Sequence, residues 1–380
     1  MLNLINIFIS ILIICCCVRA IYYITSWKPL PFTESLNKEK PLISILIPAR
    51  NEERSIGKCL DSLLKQNYPN LEIIMIDDQS TDSTSKIISE FAKNDSRIKL
   101  IQGKPLPQGW MGKCWALYQG VQIAKGEWFL FSDADVIHNT LTLNSVYQYV
   151  VKNDVSFLTL KYKLLVKTFW EKVIPPSINF IKTWFAPSPK KVNDMNTSAI
   201  EAKGDFIFVK RGIYEKLGGH KAVKDEFIES ATLMQHFKKA GHKVALLDGS
   251  RYIKVRKYSD LKDIINSYSK FFYKVFQSKM NILLSMLWMI ILLSVISPIP
   301  ILLFIVVLGH PGFNIETTLP ILQVLVLFSI AMIFYKKDNF NPWYALAFPL
   351  GAIIFISVVY KALFELIIKR SPSWRGRIYH

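Results

Sequence analysis

Acidic side chains are scarce in this chain: 29 Asp and Glu stand against 47 Lys and Arg, a net charge of +18. Such a balance suits anionic partners, whether nucleic acid, anionic lipid or phosphate ligands. Nucleic acid is set aside, because no RNA- or DNA-binding motif is present. Cysteine is also rare. Of the five, Cys15, Cys16 and Cys17 sit inside one apolar run, and Cys59 and Cys114 stand alone within predicted helices. None has metal-ligand spacing and none reads as a disulfide framework, so the globular part is expected in a reducing compartment. The first apolar run lacks a basic stretch ahead of it and a small-x-small cleavage site behind it. A retained anchor is therefore expected, not a cleaved leader.

What the chain has in excess is hydrophobicity: 51% of residues, with mean hydropathy +0.24. That is high for an ordinary soluble enzyme, and the apolar residues collect at the two ends. Leu4 to Val18 with Ile21 to Ile24 is just long enough to cross a bilayer. Trp27 and Lys28 read as interface residues that close an anchor over 1–28. Residues 29–40 form a polar, proline-containing linker. Beyond the middle, 259–280 mixes Tyr268, Phe271, Phe272, Tyr273 and Phe276 with lysines, as an interfacial amphipathic helix does. Apolar runs Ile282 to Leu308, Leu319 to Phe334 and Trp343 to Tyr360 make 281–370 a second membrane region, and 371–380 is a basic tail. The positive-inside rule puts the basic middle of a multi-pass protein in the cytoplasm. Three C-terminal crossings would leave the tail outside. A re-entrant hairpin bent at Ser297-Pro298 would return it inside, which its basic residues favour.

The middle, 41–258, alternates strand, loop and helix. Strands are predicted over Leu42 to Ile47, Leu71 to Ile76, Ile98 to Ile101, Trp128 to Ser132, Val155 to Leu160, Asp205 to Val209 and Val244 to Leu247. Helices are predicted over Ser55 to Leu64 (Ser55 a candidate cap), Thr84 to Ala92, Cys114 to Ala124 and Phe227 to Ala240. This pattern predicts an α/β domain with a mostly parallel sheet and helices on both faces. Lys161 to Val192 interrupts it with aromatic residues among lysines. That segment is either an interfacial element or a helix covering the sheet.

Polar and acidic residues gather where strands end, at Asn51-Glu52, Asp77-Asp78 and Asp133-Asp135. The last follows the apolar run Phe129-Leu130-Phe131-Ser132. Carboxylates at i and i+2 leave an extended chain on one side, at the sheet edge where open α/β sheets bind ligands. Such a pair suits a hard divalent cation shared with phosphates. Capping of the next helix explains one such acid, but three acid-bearing strand ends are hard to assign to capping alone.

In order and spacing, Pro48-Ala49-Arg50-Asn51-Glu52-Glu53, Asp77-Asp78-Gln79-Ser80-Thr81-Asp82, Gly112-Lys113, Asp133-Ala134-Asp135 and Gly218-Gly219-His220 together resemble family 2 inverting glycosyltransferases of the GT-A (Rossmann-like) fold. The apolar C-terminal block and the ending Trp374-Arg375-Gly376-Arg377-Ile378-Tyr379 resemble a narrower branch. That branch holds the membrane-bound carotenoid (diaponeurosporenoate) and hopanoid-associated glycosyltransferases.

The resemblance implies transfer of a hexose from a UDP-sugar to a lipid acceptor at the cytoplasmic face of the cell membrane, with Mn2+ or Mg2+ as cofactor. It implies that Asp135 holds the metal and that Asp133 reaches the metal or the ribose. Asp78 would accept from the uracil edge, Pro48, Ala49 and Glu52 would form the first nucleotide loop, and Lys113 would sit near the diphosphate. The general base falls at Glu229, with Asp225 or Glu226 as substitutes. Ser230 stands where the family usually has an aspartate. That departure leaves open a non-catalytic, nucleotide-sugar-binding scaffold. Arg256 lies where a diphosphate-binding element is expected, and His220 could bind acceptor or phosphate or make a turn. No Gln-x-x-Arg-Trp motif is present, which favours addition of a single sugar. Transfer to a polyprenyl phosphate or short polysaccharide synthesis stays the alternative. The aromatic and basic segments 161–192 and 259–280 would form the acceptor entrance.

Overall fold

The computed structural model describes residues 2–32, 40–278, 315–368, 373–374 and 377–378. The chain divides into two compact units: Trp27–Leu165 with Pro187–Lys257, and Met1–Ser26 with Val166–Ala186 and Tyr258–His380. The run Ile282 to Leu308, and with it the re-entrant hairpin, lies outside the described residues.

The first unit is built on ten strands: β1 (Ile43–Ala49), β2 (Leu71–Asp77), β3 (Ile98–Gln102), β4 (Trp128–Ser132), β5 (Val136–His138), β6 (Phe157–Lys161), β7 (Lys163–Leu164), β8 (Phe206–Lys210), β9 (Val244–Asp248) and β10 (Ile253–Val255). Seven form one sheet in the order β3-β2-β1-β4-β8-β6-β9, parallel except for β8, which runs against both neighbours. The sheet is thus mostly parallel, as expected. β5, β10 and β7 make a small second sheet.

Alternation along the strands fills both faces of the large sheet. Ile45, Ile73, Leu130, Leu158 and Phe208 enter one core with the helices Ile56–Leu64 and Thr142–Asn153. Leu46, Ile74, Phe129, Phe131 and Ile207 enter the other with the helices Gly112–Val121 and Glu229–Lys239. These side chains are fully buried, each worth about 1.5–3 kcal/mol. Pro48 lacks a ladder N–H but sits beyond the stretch where β1 pairs with β4, so nothing is lost there.

The structure differs from the expected boundaries and caps at four places. Trp27 and Lys28 do not close an anchor. Trp27 packs on the second core with Lys161 5.0 Å over its ring, and Lys28 O accepts from Asp248 N at 2.8 Å. Leu30 is buried and donates back to Asp248 O at 3.0 Å, so the start of the supposed linker is sheet edge. Of 161–192, the part Val166–Ala186 groups with the apolar helices. Ser55 is no side-chain cap; its hydroxyl turns to Glu52 O and Oε2.

The second unit contains the helices Leu2–Thr25, Phe169–Lys182, Leu261–Ser278, Ile315–Lys337 and Phe348–Ile367. Among the described residues, Ile7–Thr25, Thr318–Lys337 and Pro342–Ile367 are long and apolar enough to cross a membrane. Phe169–Lys182 opens with a capping box of Thr168 and Glu171. It meets the last helix so closely that a Cβ on Gly351 would stand 2.1 Å from Ser177 Oγ. Polar ties join the helices: Gln323 to Ser10 at 2.9 Å, Ser177 to Tyr335 at 2.8 Å and Asn179 to Asp338 at 2.9 Å.

Candidate active site

Strands β1, β2 and β4 end at one edge of the large sheet, and antiparallel β8 begins there. Register does the rest. Ser132 pairs with Phe206, so Asp133 falls opposite Asp205 and its N–H donates to Asp205 O at 3.4 Å. Carboxylate oxygens of Asp133, Asp135 and Asp205 lie within 4.8 Å of one another. Asp205 is the acid that sequence reasoning misses. An Asp ahead of the run Phe206–Val209 reads as the entrance to a strand, and only the reversed direction of β8 brings it to this edge.

Two lysines bracket the three acids. Lys113 Nζ is 2.7 Å from Asp133 Oδ1 and 3.3 Å from Glu229 Oε1, and donates to Gly204 O at 3.0 Å. Burial works against its charge, but Asp133 and Glu229 outweigh it and hold the ammonium well above the ordinary lysine range. Lys257 Nζ is 2.6 Å from Asp205 Oδ1 and 4.8 Å over the Tyr162 ring. That pair keeps Asp205 below the usual carboxylate range despite burial. Asp135 is served differently. Its Oδ1 is buried without a hydrogen-bond partner. Burial first, then the charge of Asp133, push its carboxyl up to about 7, with Lys257 pulling the other way. A buried bare carboxylate oxygen beside two more carboxylates is the donor set a hard divalent cation takes, so the residues fit such an ion.

Glu229 opens the helix Glu229–Lys239, where the positive end of the dipole favours an acid. It is buried, as is Ser230. Gly204 lets the three chains meet. A Cβ there would stand 3.2 Å from Lys113 Nζ, 3.4 Å from Glu229 Oε1 and 3.6 Å from Ser230 Oγ.

The loops after β1 and β2 are laced together. Asp78 N donates to Ala49 O at 2.7 Å, and Arg50 donates to Asp78 O at 2.6 Å and Gln79 O at 3.2 Å. Asn51 N meets Ser80 Oγ at 3.1 Å, and Glu52 N meets Thr84 Oγ1 at 2.7 Å. Asp82 accepts from Thr84 N at 3.0 Å and Glu53 N at 3.3 Å, a turn role. Asp78 itself is buried at this edge. Pro48, Ala49, Glu52 and Asp78 thus share one pair of joined loops.

Three expected residues are not gathered in. Asp225 is exposed and apart from the carboxylates; the short helical turn Gly219–Val223 places it before the buried stretch. Arg256 is exposed, and its neighbour Lys257 is the cation that reaches the cluster. Adjacency to Arg256 was its only sequence signal. His220 is a packing residue: 1% exposed, edge-on to Phe131 at 4.6 Å, with Nδ1 2.7 Å from Tyr214 Oη. Burial drives its ring down to about 3, so it stays neutral. The turn before it needs Gly219, at φ +49°, because a Cβ would enter the Tyr214 ring at 2.4 Å.

Residues 44–218 match the family model described as glycosyl transferase family 2. A 4,4'-diaponeurosporenoate glycosyltransferase of Staphylococcus aureus is 27% identical over 231 residues, 60% of this chain and 60% of that protein. The chain thus spans about three fifths of the length of such curated relatives. The glycosyltransferase GlyG of Streptococcus pneumoniae is 31% identical over 121 residues, 32% of this chain and 39% of that one. Among solved structures, a mannosyltransferase of Pyrobaculum calidifontis in complex with GDP-Man and Mn2+ aligns over 97% of this chain and 100% of its own, with TM-score 0.54 and 14% identity. At that identity the likeness is one of fold, and the fold is that of GT-A glycosyltransferases.

Proposed function

We propose that this chain, which carries a glycosyl transferase family 2 domain over residues 44–218 on a GT-A fold, is a membrane-bound inverting glycosyltransferase. It moves a hexose from a UDP-sugar to a lipid acceptor at the cytoplasmic face. The observation that carries this reading is the meeting of Asp133, Asp135 and Asp205 with Lys113 and Glu229 at one sheet edge. Three apolar helices in the same chain, and the carotenoid acid named for the S. aureus relative, favour a lipid acceptor.

Asp135, Asp133 and Asp205 would hold the divalent cation. When bound, that cation supplies positive charge for the departing nucleoside diphosphate. Pro48, Ala49 and Glu52 line the nucleotide loop, and Asp78 accepts from the uracil edge. Lys113 and Lys257 place two further cations beside the diphosphate site. Glu229 takes the acceptor's proton at a carboxylate oxygen as the new bond forms, opposite the leaving group. Lys113, in contact with both Glu229 and Asp133, keeps the base and the acids in one frame.

The test is incubation of the detergent-purified protein with a membrane-lipid extract and radiolabelled UDP-hexoses, with GDP-hexoses alongside. Label in the organic phase, on a product of inverted anomeric configuration, supports the proposal. Label from GDP-hexoses alone would replace the donor. Nucleotide-sugar binding with no label in any lipid would favour the scaffold reading and turn attention to Ser230.

A further inference from the structure

The chain changes sheets inside the carboxylate loop. β4 ends at Ser132 in the large sheet, and β5 begins at Val136 in the small one. Asp133 and Asp135 therefore hang between two ladders. A side-chain hydrogen bond spans the gap: Ser132 Oγ lies 3.2 Å from His138 Nε2. The same hydroxyl is 3.3 Å from Asp205 O and 3.4 Å from Asp133 O.

The direction of this bond follows the histidine tautomer. A hydroxyl has one proton, and carbonyl oxygens only accept. With the proton on Nε2 the ring donates to Ser132 Oγ, and the one hydroxyl proton is left for Asp205 O or Asp133 O. His138 is 4% exposed, and burial keeps it neutral. Its backbone N–H is fixed on Ser62 Oγ at 3.0 Å. Its Nδ1 is buried without a hydrogen-bond partner, and the residue borders a cavity of about 270 Å³ with Ile137, Tyr252 and Lys254. Among the described residues, the bond to Ser132 is the one hydrogen bond of the ring.

We propose that Ser132 and His138 form a latch that positions the three carboxylates for the cation. Both are positioning residues, since neither side chain touches the metal or the donor. Ser132 holds the backbones of Asp133 and Asp205 together, and His138 locks Ser132 from the second sheet. The inference rests on the cation-binding reading of Asp133, Asp135 and Asp205.

The test uses the full chain in detergent and reads Mn2+ binding by electron paramagnetic resonance, with no donor and no turnover. Ser132→Ala and His138→Ala should each weaken Mn2+ binding by about 10- to 100-fold, the range for groups behind metal ligands. His138→Gln, whose amide nitrogen reaches where Nε2 stands, should recover most of the affinity. Melting temperatures are measured in parallel. Unchanged Mn2+ affinity in Ser132→Ala, with or without a fall in Tm, overturns the latch. A His138→Gln variant as weak as His138→Ala overturns it as well, because the ring would then act by shape alone. Should His138→Ala not fold, Ser132→Ala decides. Absence of Mn2+ binding in the unaltered protein would remove the cation reading itself, a result separable from failure of the latch.

Discussion

Asp135 is the carboxyl of the site that burial and a like charge raise. Its carboxyl is held near 7 by burial and by Asp133, against 3.8 for the free group. The folded value lies above the unfolded one. The protonated form is therefore the favoured one in the metal-free fold, and that stability is lost as pH rises from about 4 to about 7. Asp135→Asn removes the loss. With chelator present, its Tm should exceed that of the parent at alkaline pH and converge on it towards about pH 4; a constant offset would refute the assignment. The same variant should lose metal-dependent donor binding. Glu229 makes a separate claim. Glu229→Gln should retain nucleotide-sugar binding while transfer falls by roughly 10²- to 10⁴-fold, as loss of a general base does. Survival of turnover would move the base elsewhere. At this scale the sequence was informative about acids that follow strands, because an apolar run ending in Asp-x-Asp states its own geometry. It was silent on Asp205 and Lys257. Their roles depend on which way β8 runs and on which of two adjacent cations turns inward, and neither leaves a local mark.

Elements were legible where a single rule governed them. Strands β1, β2 and β4 are continuous apolar runs because both faces are buried, and helices such as Ile56–Leu64 carry a one-sided stripe. The helix Thr142–Asn153 was not anticipated, because polar residues share its buried face: Asn144 and Ser145 are as enclosed as Leu143 and Val146. The two-residue β7 and three-residue β5 and β10 are too short for any pattern to show. The junction ahead of β8 has its own consequence. A Cβ at Gly204 would press on Lys113 Nζ at 3.2 Å and touch Glu229 Oε1 at 3.4 Å, so both side-chain ends would have to shift by a few tenths of an ångström. Gly204→Ala should cut kcat by about 10- to 100-fold through displacement of those two chains, with little change in donor KM or Tm. An unchanged kcat would mean that Lys113 and Glu229 do not act in the spacing described.

For the whole molecule, the decisive feature is that a GT-A fold and long apolar helices share one chain. The hydrophobic ends were plain in the sequence, since hydropathy needs no tertiary context. The membership of Val166–Ala186 was not, because aromatic residues beside lysines suit either a water-facing or a lipid-facing helix. Removal of residues 2–25 should leave the protein in the membrane fraction after alkaline carbonate, since Thr318–Lys337 and Pro342–Ile367 are each long enough to cross. Release into the supernatant would mean that these helices do not span.

The account stands or falls on catalysis by the carboxylate cluster. The most direct measurement is release of nucleoside diphosphate from UDP-hexoses by the detergent-purified protein, with Mn2+ and then with chelator, in the presence of membrane lipid. The account predicts release that needs the metal, rises with the lipid extract, and disappears in Asp135→Asn. Release that is indifferent to chelator and to Asp135 would contradict it.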